Sequence, residues 1–117
     1  MHSFIVEGGD LESRRLYIQD LLSTQIELIH LVAEKTSLTI KQVQDINRPL
    51  SISARLPRIV WIEEANLLTI PAQNALLKML EEPPESTTFY LTCNSAQSLL
   101  PTIRSRCQTI SLPNHEQ

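Results

Sequence analysis

Short apolar runs alternate with segments of helical period along this chain. The clearest run, 59–62, reads Ile-Val-Trp-Ile and is too short and too rich in β-branched and aromatic residues for a helix. It predicts a buried strand that ends at two carboxylates, Glu63 and Glu64. Four more apolar runs predict strands, at 3–6, 26–32, 88–93 and 108–112.

Helical periods separate these strands. After Thr69, a predicted N-cap, the apolar positions of a helix recur at Ala72, Leu76, Met79 and Leu80. This helix is expected to stop at Pro83. Weaker periods predict further helices or helical turns at 11–22, 39–46, 96–100 and 102–106, and 51–57 is predicted to be a loop. Strands that alternate with helices predict an α/β domain, with a five-stranded parallel sheet and helices on both of its faces.

Composition indicates one ordinary globular domain, residues 1–117. Hydrophobic residues make up 42% of the chain and charged residues 20%, and no segment approaches the roughly 20 apolar residues that span a membrane. The start lacks the basic and apolar regions of a signal peptide, so a cytoplasmic protein is expected. A net charge of −3 gives no general electrostatic footprint for nucleic acid, and we predict no direct sequence-specific DNA binding.

The cysteines and the internal histidine predict structure rather than metal chemistry. Cys93 and Cys107 are too few for a disulfide framework or a four-ligand zinc site. Each borders an apolar run, which predicts buried free thiols. His30 lies inside a predicted strand, and no second metal-binding residue stands at a recognisable spacing from it. We expect a core or edge histidine there, and we predict no metal site.

Carboxylates stand at two places that suggest chemistry. Glu63 and Glu64 follow the central strand, and open α/β sheets bind ligands at the carboxyl ends of their strands. Glu81 and Glu82 lie in the last turn of the next helix, where the helix dipole disfavours negative charge. An ion pair between Lys78 and Glu82 would offset this cost structurally, so a functional role for these two glutamates stays open.

Two long motifs resemble a known family. Residues 74–84 read Asn-Ala-Leu-Leu-Lys-Met-Leu-Glu-Glu-Pro-Pro, and residues 99–107 read Leu-Leu-Pro-Thr-Ile-Arg-Ser-Arg-Cys. Both are similar, in order and spacing, to segments of AAA+ clamp-loader proteins, which include the delta-prime and gamma/tau subunits of bacterial DNA polymerase III. The close resemblance covers Ile59 to Leu112 and implies a P-loop NTPase-like sheet of strand order 5-1-4-3-2. The family's lid and collar domains are expected to be absent, because the chain ends after the last predicted strand.

The family binds ATP on a glycine-rich loop between its first strand and helix. Such a loop has the pattern Gly-x-x-x-x-Gly-Lys-Ser/Thr, in which backbone N–H groups and the lysine bind phosphates and the hydroxyl binds magnesium. Aligned on Gly8, which Gly9 follows, this chain has Ser13, Arg14 and Arg15 at the last three positions. The resemblance therefore implies a degenerate Walker A motif, and ATP and magnesium are not expected to bind.

Other positions of an ATPase site are only partly kept. The resemblance puts Glu63 and Glu64 where the family's Walker B motif has Asp-Glu, whose aspartate holds magnesium and whose glutamate orients the attacking water. Thr92 and Asn94 fall where the family has its polar sensor-1 residue. A structural alternative, in which Asn94 and Ser95 satisfy the backbone of a strand-terminal turn, is favoured because the phosphate loop is not intact.

Arg106 stands at the arginine of the family's Ser-Arg-Cys segment. In the family this arginine reaches into a neighbouring subunit's nucleotide site as an arginine finger, which stabilises charge during phosphoryl transfer. A subunit that cannot bind ATP can still offer it. The resemblance thus implies an ATPase-inactive, delta-prime-like clamp-loader subunit that helps to load the sliding clamp in DNA replication. Its implied partners are the gamma/tau and delta subunits and, through them, the clamp and DNA.

Two other functions remain as alternatives. An active gamma/tau-type AAA+ ATPase would need ATP binding, against which Ser13, Arg14 and Arg15 argue. A receiver-like signalling domain would use an acidic pocket at strand ends. The chain has neither an Asp-Asp pair near residue 7 nor a lysine beyond Lys78, so the receiver-like function is the least favoured.

Overall fold

The computed structural model describes residues 2–113. Its five strands, β1 to β5, lie at Ser3–Gly8, Glu27–Leu31, Arg58–Glu63, Thr87–Cys93 and Gln108–Leu112. Its α-helices, α1 to α5, span Leu11–Gln19, Ile40–Asp45, Asn47–Leu50, Ile70–Glu81 and Pro101–Ser105. Short 3₁₀ turns at Ala65–Leu67 and Ala96–Ser98 follow β3 and β4. The polar tail that the sequence predicts after β5 lies outside the described residues from 114 onward.

All neighbouring strands pair in parallel, in the order β2-β3-β4-β1-β5. This is the predicted order 5-1-4-3-2 read from the opposite side, so the AAA+ strand order is confirmed. Parallel pairing brings like ends of the strands together. We call one end the carboxyl edge, at Gly8, Leu31, Glu63, Cys93 and Leu112. We call the other the amino edge, at Ser3, Glu27, Arg58, Thr87 and Gln108.

Helices cover both faces of the sheet, as predicted. Side chains alternate between the faces along β3. Ile59 and Trp61 face α1, where they form a small core cluster with Ile18. Val60 and Ile62 face the opposite side and belong to the larger core cluster, which includes residues of α2, α4 and α5. The whole of β3 is buried, which explains its uninterrupted apolar run.

Helix α4 and the loop before β3 agree with the sequence predictions. The Thr69 hydroxyl accepts the N–H of Ala72 at 3.2 Å and caps the helix, which ends at Glu81, shortly before Pro83. Residues 51–57 form no helix or strand.

Two helix boundaries differ from the predictions. α1 ends at Gln19 rather than at Leu22, because the chain turns there and the Leu21 N–H bonds to the Ile18 carbonyl oxygen at 2.9 Å. Beyond α2, where the sequence predicts the helix to end, the chain forms the short helix α3. Pro49 is compatible with α3 because it lies in the first turn, where no intrahelical N–H donor is needed.

The cysteines and His30 are placed as predicted. Cys93 and Cys107 are buried free thiols. Burial raises the pKa of each thiol to about 11, and the nearby charge of Glu7 also raises the pKa of Cys93. His30 lies on the edge strand β2 and is 35% exposed. Within residues 2–113, no helix has the length and apolar character needed to cross a membrane.

Candidate functional site

The turn between β1 and α1 is a tight helix cap. Gly9 and Asp10 are the two residues between these elements. Gly8 has a φ of +90°, and a Cβ atom there would lie 2.7 Å from the backbone oxygen of Leu112, so the position requires glycine. The Asp10 carboxylate accepts the Ser13 N–H at 2.8 Å, and the Ser13 hydroxyl oxygen accepts the Asp10 N–H at 2.9 Å. This reciprocal pair is a capping box.

This turn lies where the alignment on Gly8 predicts a degenerate phosphate loop over residues 7–15. The chain is helical from Leu11, where the predicted helix 11–22 begins, so only Gly9 and Asp10 separate the strand from the helix. Ser13 and Arg14 therefore lie in the opening turns of α1. A Walker A loop needs several residues between strand and helix, because their N–H groups must wrap the phosphates. A turn of two residues is too short for that geometry.

Arg14, at the position aligned with the Walker A lysine, is directed into the protein. It is 3% exposed. Its Nη1 donates to the backbone oxygens of Gly8 and Gly9, at 2.8 Å and 3.3 Å, and its Nη2 donates to Oε2 of Glu64 at 3.2 Å. The guanidinium thus holds the end of β1 to the residue that follows β3. These contacts pair both Nη atoms of the buried cation with protein groups, while its buried Nε has no hydrogen-bond partner among the described residues.

Glu63, the first carboxylate of the Walker B position, is buried and bonded on both oxygens. It is 3% exposed. Its Oε2 accepts a hydrogen bond from Nε of Arg15, and its Oε1 is 2.8 Å from Nε2 of His30. The His30 ring also stacks on Trp61, with ring centroids 4.1 Å apart and planes 4° from parallel. Glu63 therefore joins α1, β2 and β3 at the carboxyl edge.

Glu64 has an uncommon backbone conformation. Its φ of 54° and ψ of 58° lie in the left-handed region, which residues other than glycine rarely adopt. Strain of this kind persists where surrounding contacts fix the conformation. Here the contacts are the ion pair with Arg14 and the hydrogen bond that the Glu64 backbone oxygen accepts from the Leu67 N–H at 2.9 Å, and the Glu64 side chain is 25% exposed. Both carboxylates that align with the Walker B motif are consequently paired with arginines of α1.

The two residues aligned with the sensor-1 position differ in their contacts and in their exposure. The Thr92 hydroxyl accepts the indole N–H of Trp61 at 3.0 Å and is 1% exposed. The backbone oxygen of Asn94 accepts the Gly8 N–H at 3.0 Å, and Asn94 is exposed. The Ser95 hydroxyl caps the next turn by accepting the Gln97 N–H. Thr92 and Asn94 therefore make contacts within the sheet and its turns.

Arg106 lies far from these groups. It follows α5 and precedes β5, which starts beside Phe4 and ends beside Gly8. The length of β5 separates Arg106 from the carboxyl edge by at least about 13 Å, at about 3.3 Å per residue. Arg106 is 49% exposed, and its Nη2 donates to Oε2 of Glu81 at 3.3 Å. The structure thus does not bring Arg106 together with Glu63 and the other predicted site residues.

The ion pair between Lys78 and Glu82, which the sequence offered as one alternative, does not form. Within residues 2–113, the ion pair at the end of α4 is the one between Glu81 and Arg106. The pair that forms thus involves the other glutamate and a partner distant in sequence. The reason is tertiary, because α5 places Arg106 against the last turn of α4.

Sequence reasoning also missed His30 as a member of the site. The signal was its position, because β2 neighbours β3 in the strand order that the resemblance implies. In the parallel register His30 pairs with Trp61, two residues before Glu63. The signal for a contact between Glu81 and Arg106 was weaker. Glu81 lies in the first of the two motifs that carry the resemblance, and Arg106 lies in the second.

Known proteins with similar sequences identify the family. A family model described as "DNA polymerase III, delta subunit" matches residues 15–116. The chain belongs to this family. The *Escherichia coli* K12 protein "DNA polymerase III subunit delta'" is 45% identical over 76 residues, which cover 63% of this chain and 23% of that protein. The delta-prime-like clamp-loader resemblance is therefore confirmed.

The chain is also similar to gamma-type subunits of DNA polymerase III. The *Mycobacterium tuberculosis* H37Rv protein "DNA polymerase III subunit gamma/tau" is 45% identical over 49 residues, or 42% of this chain and 8% of that protein. A crystal structure of a DNA polymerase III, gamma subunit-related protein from *Thermotoga maritima* matches with a TM-score of 0.81 and 28% identity. That match covers 95% of this chain and 40% of the other. The chain spans about a quarter of the length of its *E. coli* relative.

Proposed function

We propose that this chain is the AAA+-like domain of a delta-prime-type clamp-loader subunit that neither binds nor hydrolyses ATP. In this proposal it assembles with gamma/tau and delta subunits and helps to load the sliding clamp on DNA during replication in the cytoplasm. Family membership supports the clamp-loader assignment. The bonded charges at the carboxyl edge support the proposal that ATP and magnesium do not bind there.

One observation supports the proposal that this site does not bind ATP: the arginines and carboxylates that would contact Mg-ATP are bonded to each other. Arg14 is bonded to Glu64 and two backbone oxygens, and Arg15 is bonded to Glu63. A bound Mg-ATP would require a free cation for its phosphates and a free carboxylate for its metal. It would have to separate these pairs, two of whose members are nearly fully buried, without a phosphate loop to replace their contacts.

Nucleotide titration tests this proposal. A fluorescent ATP analogue with magnesium is added to the protein, with a gamma/tau-type ATPase as the positive control. We expect no saturable binding at concentrations that saturate the control. Saturable binding in a one-to-one ratio would contradict the proposal and favour the alternative, an active gamma/tau-type ATPase. The match to the gamma/tau protein is the observation that favours that alternative.

We further propose that Arg106 serves a neighbouring subunit as an arginine finger. Arg106 is half-exposed and lies at the amino edge, so it does not reach Glu63 and Glu64 at the carboxyl edge of its own chain. An exposed arginine there is available to a nucleotide bound by the adjacent protein. Its contribution would be charge stabilisation in the transition state.

ATP turnover in a reconstituted complex tests the finger. The protein is mixed with the gamma/tau-type ATPase of the same organism, and turnover is measured with wild type and Arg106→Ala. We expect a loss of about 10³-fold or more in the steps that use the finger. The matched control is Arg55→Ala, because Arg55 is also exposed and lies in the loop before β3. Equal turnover with wild type and Arg106→Ala in a formed complex would contradict the proposal.

A further inference from the structure

Helix α4 ends in two acidic residues that its own dipole disfavours. Glu81 and Glu82 are both exposed at its carboxyl end. Glu81 has a partner across the structure, because its Oε2 accepts a hydrogen bond from Nη2 of Arg106. Within residues 2–113, Glu82 takes part in no ion pair of this kind. The contact with Arg106 therefore distinguishes two neighbouring glutamates that the sequence makes look equivalent.

Helix α4 also holds the other end of α5. Gln73 is 3% exposed, and its Oε1 accepts the N–H of Leu100, the N-cap of α5, at 2.8 Å. Its Nε2 donates to the backbone oxygen of Leu68. One helix thus contacts both the start of α5, through Gln73, and the residue that ends it, through Glu81. The backbone of Arg106 is fixed as the C-cap of α5, so its side-chain direction is what remains to be set.

We propose that Glu81 is a positioning residue that holds the Arg106 guanidinium ready for a neighbouring subunit's nucleotide. This inference rests on the proposed finger role of Arg106. A guanidinium has five N–H donors in a rigid fork, and Glu81 engages Nη2. Within residues 2–113, Nη1 and Nε of Arg106 make no hydrogen bond, so they can bind a phosphate oxygen while Glu81 keeps its contact. Pre-organisation of this kind lowers the entropy lost when the finger acts.

A glutamate series in the reconstituted complex tests the role. Glu81→Gln keeps the side-chain shape but removes the charge, and Glu82→Gln is the matched control at the same helix end. We expect Glu81→Gln to lower kcat of the neighbouring ATPase by about two- to fivefold, the range for an exposed ion pair, with KM for ATP unchanged. Glu82→Gln should leave kcat unchanged. In an Arg106→Ala background, Glu81→Gln should have no further effect, whereas a merely structural role would lower kcat in both backgrounds.

A second measurement on the protein alone checks the contact itself. NMR of the Arg106 guanidinium reports the rotation rate of its Nη groups. We expect slow rotation in wild type and in Glu82→Gln, and faster rotation in Glu81→Gln. Unrestricted rotation in wild type would overturn the inference. If Arg106→Ala leaves turnover unchanged, the finger proposal itself fails. If Arg106→Ala lowers turnover but Glu81→Gln and Glu82→Gln give the same kcat, only the positioning role of Glu81 is overturned and the finger proposal stands.

Discussion

Two arginines at opposite edges of the sheet are held in different ways. At the carboxyl edge, Arg14 is 3% exposed and bonds to Glu64 and to two backbone oxygens. At the amino edge, Arg106 is 49% exposed and bonds to Glu81 through one nitrogen. Removing a buried cation leaves its buried acceptors without a partner and destabilises the fold, whereas an exposed cation with one acceptor contributes little to stability and can bind a partner. The two arginines thus differ in burial and in the number of their acceptors, although both lie in motifs that the resemblance relates to the handling of nucleotide.

The carboxyl edge is also a connected unit. Arg14 and Arg15 are neighbours on α1, and they pair with Glu64, which follows β3, and with Glu63, which ends it. His30 extends the unit to β2. Substitutions within this unit should therefore be coupled to one another.

The largest loss of stability is expected for Arg14→Ala. Removing one member of a largely buried pair leaves Glu64 and two backbone oxygens without their donor, and we expect the free energy of unfolding to fall by about 3 kcal/mol. Urea unfolding measures this quantity. Arg55→Ala, at an exposed loop position, is the control and should change it by less than about 0.5 kcal/mol. A loss below about 1 kcal/mol for Arg14→Ala would mean that the contrast between the two edges is wrong.

A smaller loss is expected for Arg15→Ala. Arg15 is 49% exposed, but its partner Glu63 is buried and would keep His30 as its remaining partner. We expect a decrease of about 1–3 kcal/mol in the free energy of unfolding. Lys41→Ala, which removes an exposed pair with Asp45, is the control and should cost about 0.5 kcal/mol or less. A double-mutant cycle with Glu63→Gln should give a coupling energy clearly different from zero, and strict additivity would argue against a direct pair.

The buried thiols predict a loss of stability at high pH. Their folded pKa, about 11, lies above the unfolded value of 9.0, so the folded state binds more protons between these values. The stabilisation is complete below pH 9 and is lost as the pH rises from 9 to 11. Unfolding measured across this range should give a falling free energy, with a shallower slope when Cys93 and Cys107 are both replaced by alanine. Burial also raises the pKa of Tyr90, so some slope should remain. An unchanged slope would contradict the prediction.

The smallest effect on stability is expected for Arg106→Ala. Because both members of its ion pair are more than two-fifths exposed, the free energy of unfolding should change by less than about 0.5 kcal/mol. Thermal unfolding beside Arg14→Ala provides the direct comparison. A loss as large as that of Arg14→Ala would make Arg106 a structural residue and would weaken its proposed role as a finger.

Most of the fold could be predicted from local patterns. The run at 59–62, the Thr69 cap and the period of α4 each specify one element by themselves, and the motif resemblance supplied the strand order. The end of α1 and the existence of the short helix α3 were not predicted, because short helical turns depend on contacts that propensity does not report. In the candidate site, the start of α1 at Leu11 was predicted, but the pairing of Arg14 with Glu64 and of Arg15 with Glu63 was not, because it depends on how α1 packs beside β3.

The sequence by itself determined which residues would be strands, which would be helices, and which charged groups would follow the strands. It also determined the family, through two motifs at the right spacing. Tertiary structure decided the partners of those charges. Arg14 with Glu64, Glu63 with His30, and Arg106 with Glu81 are each separated by 25 residues or more along the chain. Such pairs form because parallel strands and the helices between them bring distant positions together, and no local pattern encodes that geometry.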